Sequence, residues 1–251
     1  STNIITPEVS VITNIGLDHT QFLGTTLPEI AFEKAGIIKN NIPVVIGEFQ
    51  NETKEVFLAK ANECHSEITF ASNKNYSYQT DLLGDYQKNN VKTAITTIQR
   101  LKGFKVSKEN LKNGLLNVVK NTNLKGRWQI LQENPKVVCD TAHNKEGLMY
   151  VLNQLKKEEF NQLHIVLGVV SDKDLSEILP MFPKKARYYF CKPDIPRGLS
   201  ENILKDKAFE YNLSGDVFAS VNQAYKKALS RVSKKDLIYI GGSTFVVAEV
   251  L

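Results

Sequence analysis

No run in this 251-residue sequence approaches the roughly 20 consecutive apolar residues that a membrane-spanning helix requires. The start lacks the basic-then-apolar profile of a secretory leader, so a cytoplasmic protein with no membrane partner is expected. Cysteine is scarce. Cys64, Cys139 and Cys191 are far apart and odd in number, which argues against a disulfide framework and for reduced thiols. The net charge of +5 is mild, and lysine pairs such as Lys156-Lys157, Lys184-Lys185 and Lys234-Lys235 are scattered among acids. Nucleic-acid binding clusters its cations, so it is not expected. No Ser-His-Asp order, CxxC pair or HExxH run is present, and none of the 14 glycines is followed by lysine. A phosphate-cradling GxxxxGK[ST] loop is therefore missing, and a self-sufficient phosphoryl-transfer enzyme needs one or an equivalent.

What is present is ordinary soluble material, with 42% hydrophobic and 24% charged residues. Short β-branched runs alternate with stretches of helical periodicity. Val9–Ile12, Val44–Ile46 and Ile68–Phe70 read as buried strands, with helices over Leu27–Lys39 and Thr53–His65. Gln87–Leu101 and Lys108–Val119 read as two successive helices, the second capped by Ser107. A fresh series follows: strands at Val137–Asp140, His164–Leu167, Arg187–Cys191, Asp216–Phe218 and Leu237–Ile240, separated by helices. Regular βαβ alternation implies an α/β protein with a parallel sheet covered on both faces. The boundary is expected near 120–126, where Asn121-Thr122-Asn123 and Gly126 break helix. The first part has about three strands and so is expected to leave an edge or face exposed.

Several clusters can carry chemistry. Thr13-Asn14-Ile15-Gly16-Leu17-Asp18-His19 ends a strand, where open parallel sheets bind ligands. His19 can ligate a divalent cation or simply bond to backbone. Phe32-Glu33-Lys34-Ala35-Gly36-Ile37-Ile38-Lys39 places Lys34 on a helix, solvated or, if buried, available for chemistry. Asp140-Thr141-Ala142-His143-Asn144 sits between a strand and a helix. A carboxylate there suits ribose hydroxyls, a metal or phosphate-bound water, while Asn144 suits a helix N-cap. Gly126-Arg127-Trp128 offers a planar guanidinium fork for phosphate or carboxylate, or a surface arginine. Gly241-Gly242-Ser243-Thr244 makes a glycine turn after the last strand.

In order and spacing, these segments resemble folylpolyglutamate synthase and the related dihydrofolate synthase, within the Mur ligase superfamily. The match runs through Ser1-Thr2-Asn3, Pro7–Gly47, Gln87–Ala94, Gly126–Asn144, Gly168–Asp174 and Gly241–Ser243. It implies part of a central Mur-ligase-type ATPase domain over 1–123, then a Rossmann-like parallel-sheet ligase domain over 124–251. The partner implied for both is a missing N-terminal part of the same enzyme, carrying the phosphate loop and a second metal-binding carboxylate. Alone, residues 1–251 would then be inactive. By this resemblance His19 is the Mg2+ ligand, and Lys34 is the lysine that carbon dioxide carbamylates. Asn90 contacts adenine, while Arg127 and Asp140 contact ATP. His143 and Ser243 lie near the incoming L-glutamate, and Lys34, Asp140 and His143 are the catalytic set. The implied reaction activates a folate or dihydropteroate carboxylate with ATP and joins it to glutamate. Two positions depart from the family pattern: Thr141 stands where glycine is usual, and Thr244-Phe245 where Leu-Tyr is common. Rival readings are a peptidoglycan-precursor ligase and a naturally truncated interaction module without activity.

Overall fold

A computed structural model describes residues 2–17 and 20–251. They divide into two compact units. One comprises the chain up to Asp81 with Tyr86–Asn121, and the other Leu82–Asp85 with Thr122–Leu251. Among the described residues, no helix is long and apolar enough to cross a membrane.

The first unit runs β1 (Ser10–Ile12), α1 (Thr20–Leu23), α2 (Leu27–Ala35), β2 (Val44–Ile46), α3 (Asn51–Glu63) and β3 (Ile68–Phe70). It then continues through α4 (Gln87–Ile98), α5 (Lys108–Leu116) and α6 (Val118–Thr122). Its three strands are parallel in the order β1-β2-β3. All three residues of β2 are buried, as a middle strand covered on both faces requires. Ile30, Ala31 and Ala35 of α2 and Phe57 and Ala61 of α3 close over the sheet. A capping box starts α2: Thr26 Oγ1 accepts from Glu29 N, and Glu29 Oε2 accepts from Thr26 N. The periodicity of Leu27–Lys39 suggests a longer helix, but α2 stops at Ala35. Beyond it, the N–H groups of Gly36, Ile37 and Ile38 reach back only three residues, and Lys39 Nζ bonds Gly36 O and Asn3 Oδ1. Likewise Lys108–Val119 is broken at Asn117, because the Asp81 carboxylate draws in the N–H groups of Val118 and Val119. Ile4, Phe22 and Phe32 of this unit are 90%, 83% and 69% exposed.

The second unit contains β4 (Gln129–Glu133), β5 (Lys136–Cys139), α7 (Lys145–Leu155), β6 (Leu163–Leu167), α8 (Leu175–Ile178) and β7 (Arg187–Cys191). After these come α9 (Glu201–Phe209), β8 (Gly215–Phe218), α10 (Val221–Leu229), β9 (Leu237–Gly241) and α11 (Thr244–Ala248). The sheet order is β4-β5-β9-β6-β7-β8. Five strands are parallel, as the βαβ pattern implies. The sixth, β4, is an addition that periodicity did not reveal, and it pairs antiparallel with β5 through a tight turn at Asn134-Pro135. Every residue of β6 and β9 is buried. Val137, Val166, Tyr189 and Ile238 pack with α10 and α11 on one face. The alternate residues Val138, Ile165, Tyr188 and Tyr239 are buried on the other.

Leu82–Asp85 belongs with this unit because it is clasped to the second half of α7. Asp85 N donates to Gln154 Oε1 at 2.7 Å, and Gln154 Nε2 donates back to Leu83 O at 2.9 Å. Lys157 Nζ pairs with the Asp85 carboxylate at 2.6 Å. Composition alone carries no trace of this excursion, since all three bonds span about 70 residues of chain.

At the N-terminal end of the sheet, His164 on β6 is 1% exposed. Its Nδ1 lies 2.9 Å from the Tyr189 hydroxyl and its Nε2 is 3.7 Å from Asp236. Burial lowers its pKa below 6.5, against the pull of Asp236 and with help from Arg187 and Arg231. A depressed folded pKa means the unfolded chain binds the proton first as pH falls. The His164 contribution is therefore complete above the unfolded value of 6.5 and is lost as pH drops below it. We expect Tm to fall between about pH 7 and 5, and His164→Gln to flatten that slope. Equal slopes for both proteins in a thermal-melt series would exclude His164 as the titrating group.

Candidate active site

The C-terminal ends of β5 and β9 lie side by side, Cys139 opposite Ile240, and Asp140 N continues the ladder to Ile240 O at 3.1 Å. This is the end of a parallel sheet at which ligands bind. Three backbone segments meet there: the 126–128 turn, the 140–144 turn leading into α7, and the 241–243 turn leading into α11. Two glycines are needed for this approach. Gly126 has φ of +68°, and a Cβ on it would fall 2.8 Å from Thr141 Cγ2 and 2.9 Å from Val247 Cγ1. Gly242 has φ of +93°, and a Cβ there would sit 2.6 Å from Gly168 O.

Asp140 is 1% exposed and binds two of these segments together. Its Oδ2 accepts from Trp128 N at 2.6 Å and its Oδ1 from Ala142 N at 2.8 Å. The sequence suggests a carboxylate held for a ligand. In the fold it holds the backbone of both turns. Trp128 has φ of +48°, unusual for a bulky residue, and its ring is buried. The Asp140 bond and the ring's packing offset a backbone cost of about 1–3 kcal/mol. Burial, reinforced by the Asp140 charge, pushes the neighbouring Cys139 thiol up to about 12, so it is no nucleophile.

Arg127 is exposed, and its Nη1 lies against the Thr141 hydroxyl. Thr141 N donates to Gly126 O at 3.0 Å, closing the contact between the two turns. His143 Nδ1 lies 3.0 Å from Thr141 O; when Nδ1 donates there, the neutral ring keeps Nε2 as an acceptor. Asn144 caps α7 by accepting from Gly147 N at 2.9 Å, the structural role its position suggested. Ser243 is 3% exposed and its Oγ accepts from Phe245 N at 3.2 Å at the start of α11. Phe245 carries the Arg197 guanidinium 5.0 Å above its ring. The structure thus gathers Arg127, Asp140, His143 and Ser243 at one end of one sheet.

The remaining candidates lie in the first unit. Asn90 is exposed in the first turn of α4, its Nδ2 2.9 Å from Gln87 Oε1. Beside it, Asn89 Nδ2 donates to Glu48 Oε1 at 3.1 Å, just past the end of β2. Lys34 is half-buried in the last turn of α2. His19 lies outside the described residues. Among the described residues, no group of three His, Cys, Asp or Glu side chains could hold a metal ion. Sequence reasoning singled out Thr141 only as a departure and overlooked Gln129, whose Oε1 accepts from Gly126 N at 2.8 Å.

Residues 1–108 match the Mur ligase middle domain, and residues 126–244 match the Mur ligase glutamate ligase domain. A dihydrofolate synthase/folylpolyglutamate synthase of Buchnera aphidicola from Acyrthosiphon pisum is 31% identical over the whole of this chain and 63% of its own length. The structure of Escherichia coli FolC with DHPP and ADP superposes with a TM-score of 0.85 at 26% identity, covering 99% of this chain and 61% of the other. The Yersinia pestis bifunctional folylpolyglutamate synthase/dihydrofolate synthase with AMPPNP and a Mn ion gives 0.82 at 25%, covering 99% and 62%. The chain therefore belongs to the Mur ligase superfamily, whose middle and glutamate ligase domains together account for most of it, and it is similar to the folylpolyglutamate synthase/dihydrofolate synthases. It spans a little over three fifths of the length of these relatives.

Removing the Asp140 carboxylate leaves two backbone donors without acceptors, each costing about 1–3 kcal/mol. Asp140→Ala should lose about 2–5 kcal/mol in urea unfolding, and Asp140→Asn less, because it keeps one acceptor oxygen. An alanine variant as stable as the wild type would show that these bonds contribute nothing to the fold.

Proposed function

We propose that this chain supplies the nucleotide- and glutamate-handling parts of an ATP-dependent ligase that joins L-glutamate to a folate or dihydropteroate carboxylate, in two domains, 1–123 and 124–251. The observation that carries this reading is the convergence of Arg127, Asp140, His143 and Ser243 on one sheet end, in a glutamate ligase domain. The exposed guanidinium of Arg127 offers donors to phosphate or carboxylate oxygens. In such a reaction the substrate carboxylate becomes an acyl phosphate, the amine of glutamate attacks it, and phosphate leaves the tetrahedral intermediate. Arg127 would offset the anionic charge that develops, and Asp140 would orient a ribose hydroxyl or the attacking amine. His143, whose Nδ1 lies against Thr141 O, is placed to take a proton from that amine.

Bound magnesium would neutralise charge on the transferring phosphoryl group. His19 and a carbamylated Lys34 are the residues we propose to hold it, with Asn90 against adenine. The half-buried place of Lys34 at the end of α2 is compatible with a modified amine.

The test joins this chain, in frame, behind the front portion of the Escherichia coli relative that the match leaves uncovered. The 251 residues contain no phosphate-cradling loop, so the isolated chain should show no ligation, while the chimaera should ligate glutamate to a folate or dihydropteroate with ATP consumed. Ligation of a muramyl precursor instead, or no ligation by a folded chimaera, would overturn the assignment.

A further inference from the structure

We infer that the N-terminal end of the second unit's sheet is a docking surface for an acidic segment of a partner protein. In the sequence the pairs Lys156-Lys157, Lys184-Lys185 and Lys234-Lys235 stand far apart, but the fold brings them to one place. They lie in the segments that lead into β6, β7 and β9, which are neighbours in the order β9-β6-β7. Adjacent strands are about 4.8 Å apart, so the three segments enter the sheet within about 10 Å. Hydrogen bonds stitch them together. Asn161 N donates to Lys235 O at 2.9 Å, Leu237 N to Gln162 O at 3.0 Å, and Gln162 Nε2 to Lys185 O at 3.0 Å.

Residues 156–162, 183–187 and 230–236 contain eight cations and three carboxylates, a net of +5. That equals the net charge of the whole chain, so all other residues together are neutral. Two of the carboxylates are committed: Glu158 pairs with Lys136 at 2.6 Å, and buried Asp236 accepts from Ser233 N at 2.7 Å. Lys157 and Arg231 are held by Asp85 and Asp216. Lys184, Lys185, Arg187, Lys234 and Lys235 are exposed and make no ion pair among the described residues. Cations gathered within roughly the Debye length of about 8–10 Å repel one another and cost stability, which an anionic partner offsets. The patch suits carboxylates on a protein chain better than other polyanions. None of the exposed large hydrophobic side chains lies in the three segments, so a lipid surface finds no anchor. No aromatic ring is exposed there for a nucleic-acid base to stack on. An extended acidic segment places the side chains of one face about 7 Å apart, a spacing that reaches cations in adjacent loops.

The probe is an N-acetylated peptide of six α-linked glutamates, titrated into the 251-residue chain while backbone amide shifts are followed. Saturable shifts are expected in 156–162, 183–187 and 230–236, with affinity falling as salt rises. The same peptide made of glutamines should leave these segments unshifted. Lys184→Glu combined with Lys185→Glu should weaken binding about tenfold without lowering Tm, because it also relieves repulsion. Lys234→Gln combined with Lys235→Gln alters a separate segment and should weaken binding about threefold, which keeps the test decisive where the first variant fails to fold. Unchanged affinity in the folded variants, or shifts spread over lysines elsewhere, would overturn the proposal. So would tighter binding of a six-nucleotide RNA or of phosphatidylserine vesicles. Shifts confined to 126–128, 140–144 and 241–243 would place the peptide at the candidate active site and equally overturn it.

Discussion

One buried carboxylate organises the C-terminal end of the sheet in the second unit. Asp140 accepts the N–H groups of Trp128 and Ala142 with its two oxygens, and so joins the turn before β4 to the turn before α7. Without that acceptor, Trp128 has little reason to stay in the left-handed region, and the turn that carries Arg127 loses its anchor. Such bonds from backbone donors to a charged acceptor are shorter and stronger than neutral ones.

The remaining features of this end follow from how closely three turns must approach. Gly126 and Gly242 have no Cβ, which lets the turns pack against Thr141, Val247 and Gly168. Asn144 and Ser243 each cap the helix that follows, accepting one of the first N–H groups of α7 and of α11. Stability and the proposed ligand handling fall on the same residues, so a variant here must be read by both measures.

Much of this arrangement is legible from sequence, because it depends on short-range signals. The alternation of β-branched runs with helices gave the parallel strands, and Asp140 and Gly241-Gly242 could be placed at strand ends by position alone. What was not legible depends on partners far along the chain. The break at Asn117 needs Asp81, and the attachment of Leu82–Asp85 to the second unit needs Gln154 and Lys157. The strand β4 is more than half polar, Gln-Ile-Leu-Gln-Glu, and so gives no run of apolar residues to read as a strand. The packing of Thr141 against Gly126 was hidden because a threonine after an aspartate is an ordinary turn residue until Gly126 is folded against it.

The most direct measurement is a map of backbone amide shifts in the 251-residue chain as ADP and magnesium are added. If the ends of β5 and β9 form the binding site, shifts should cluster at 126–128, 140–144 and 241–243. Shifts confined to the opposite end of the same sheet, around 133–136, 162–164 and 233–236, would contradict that placement.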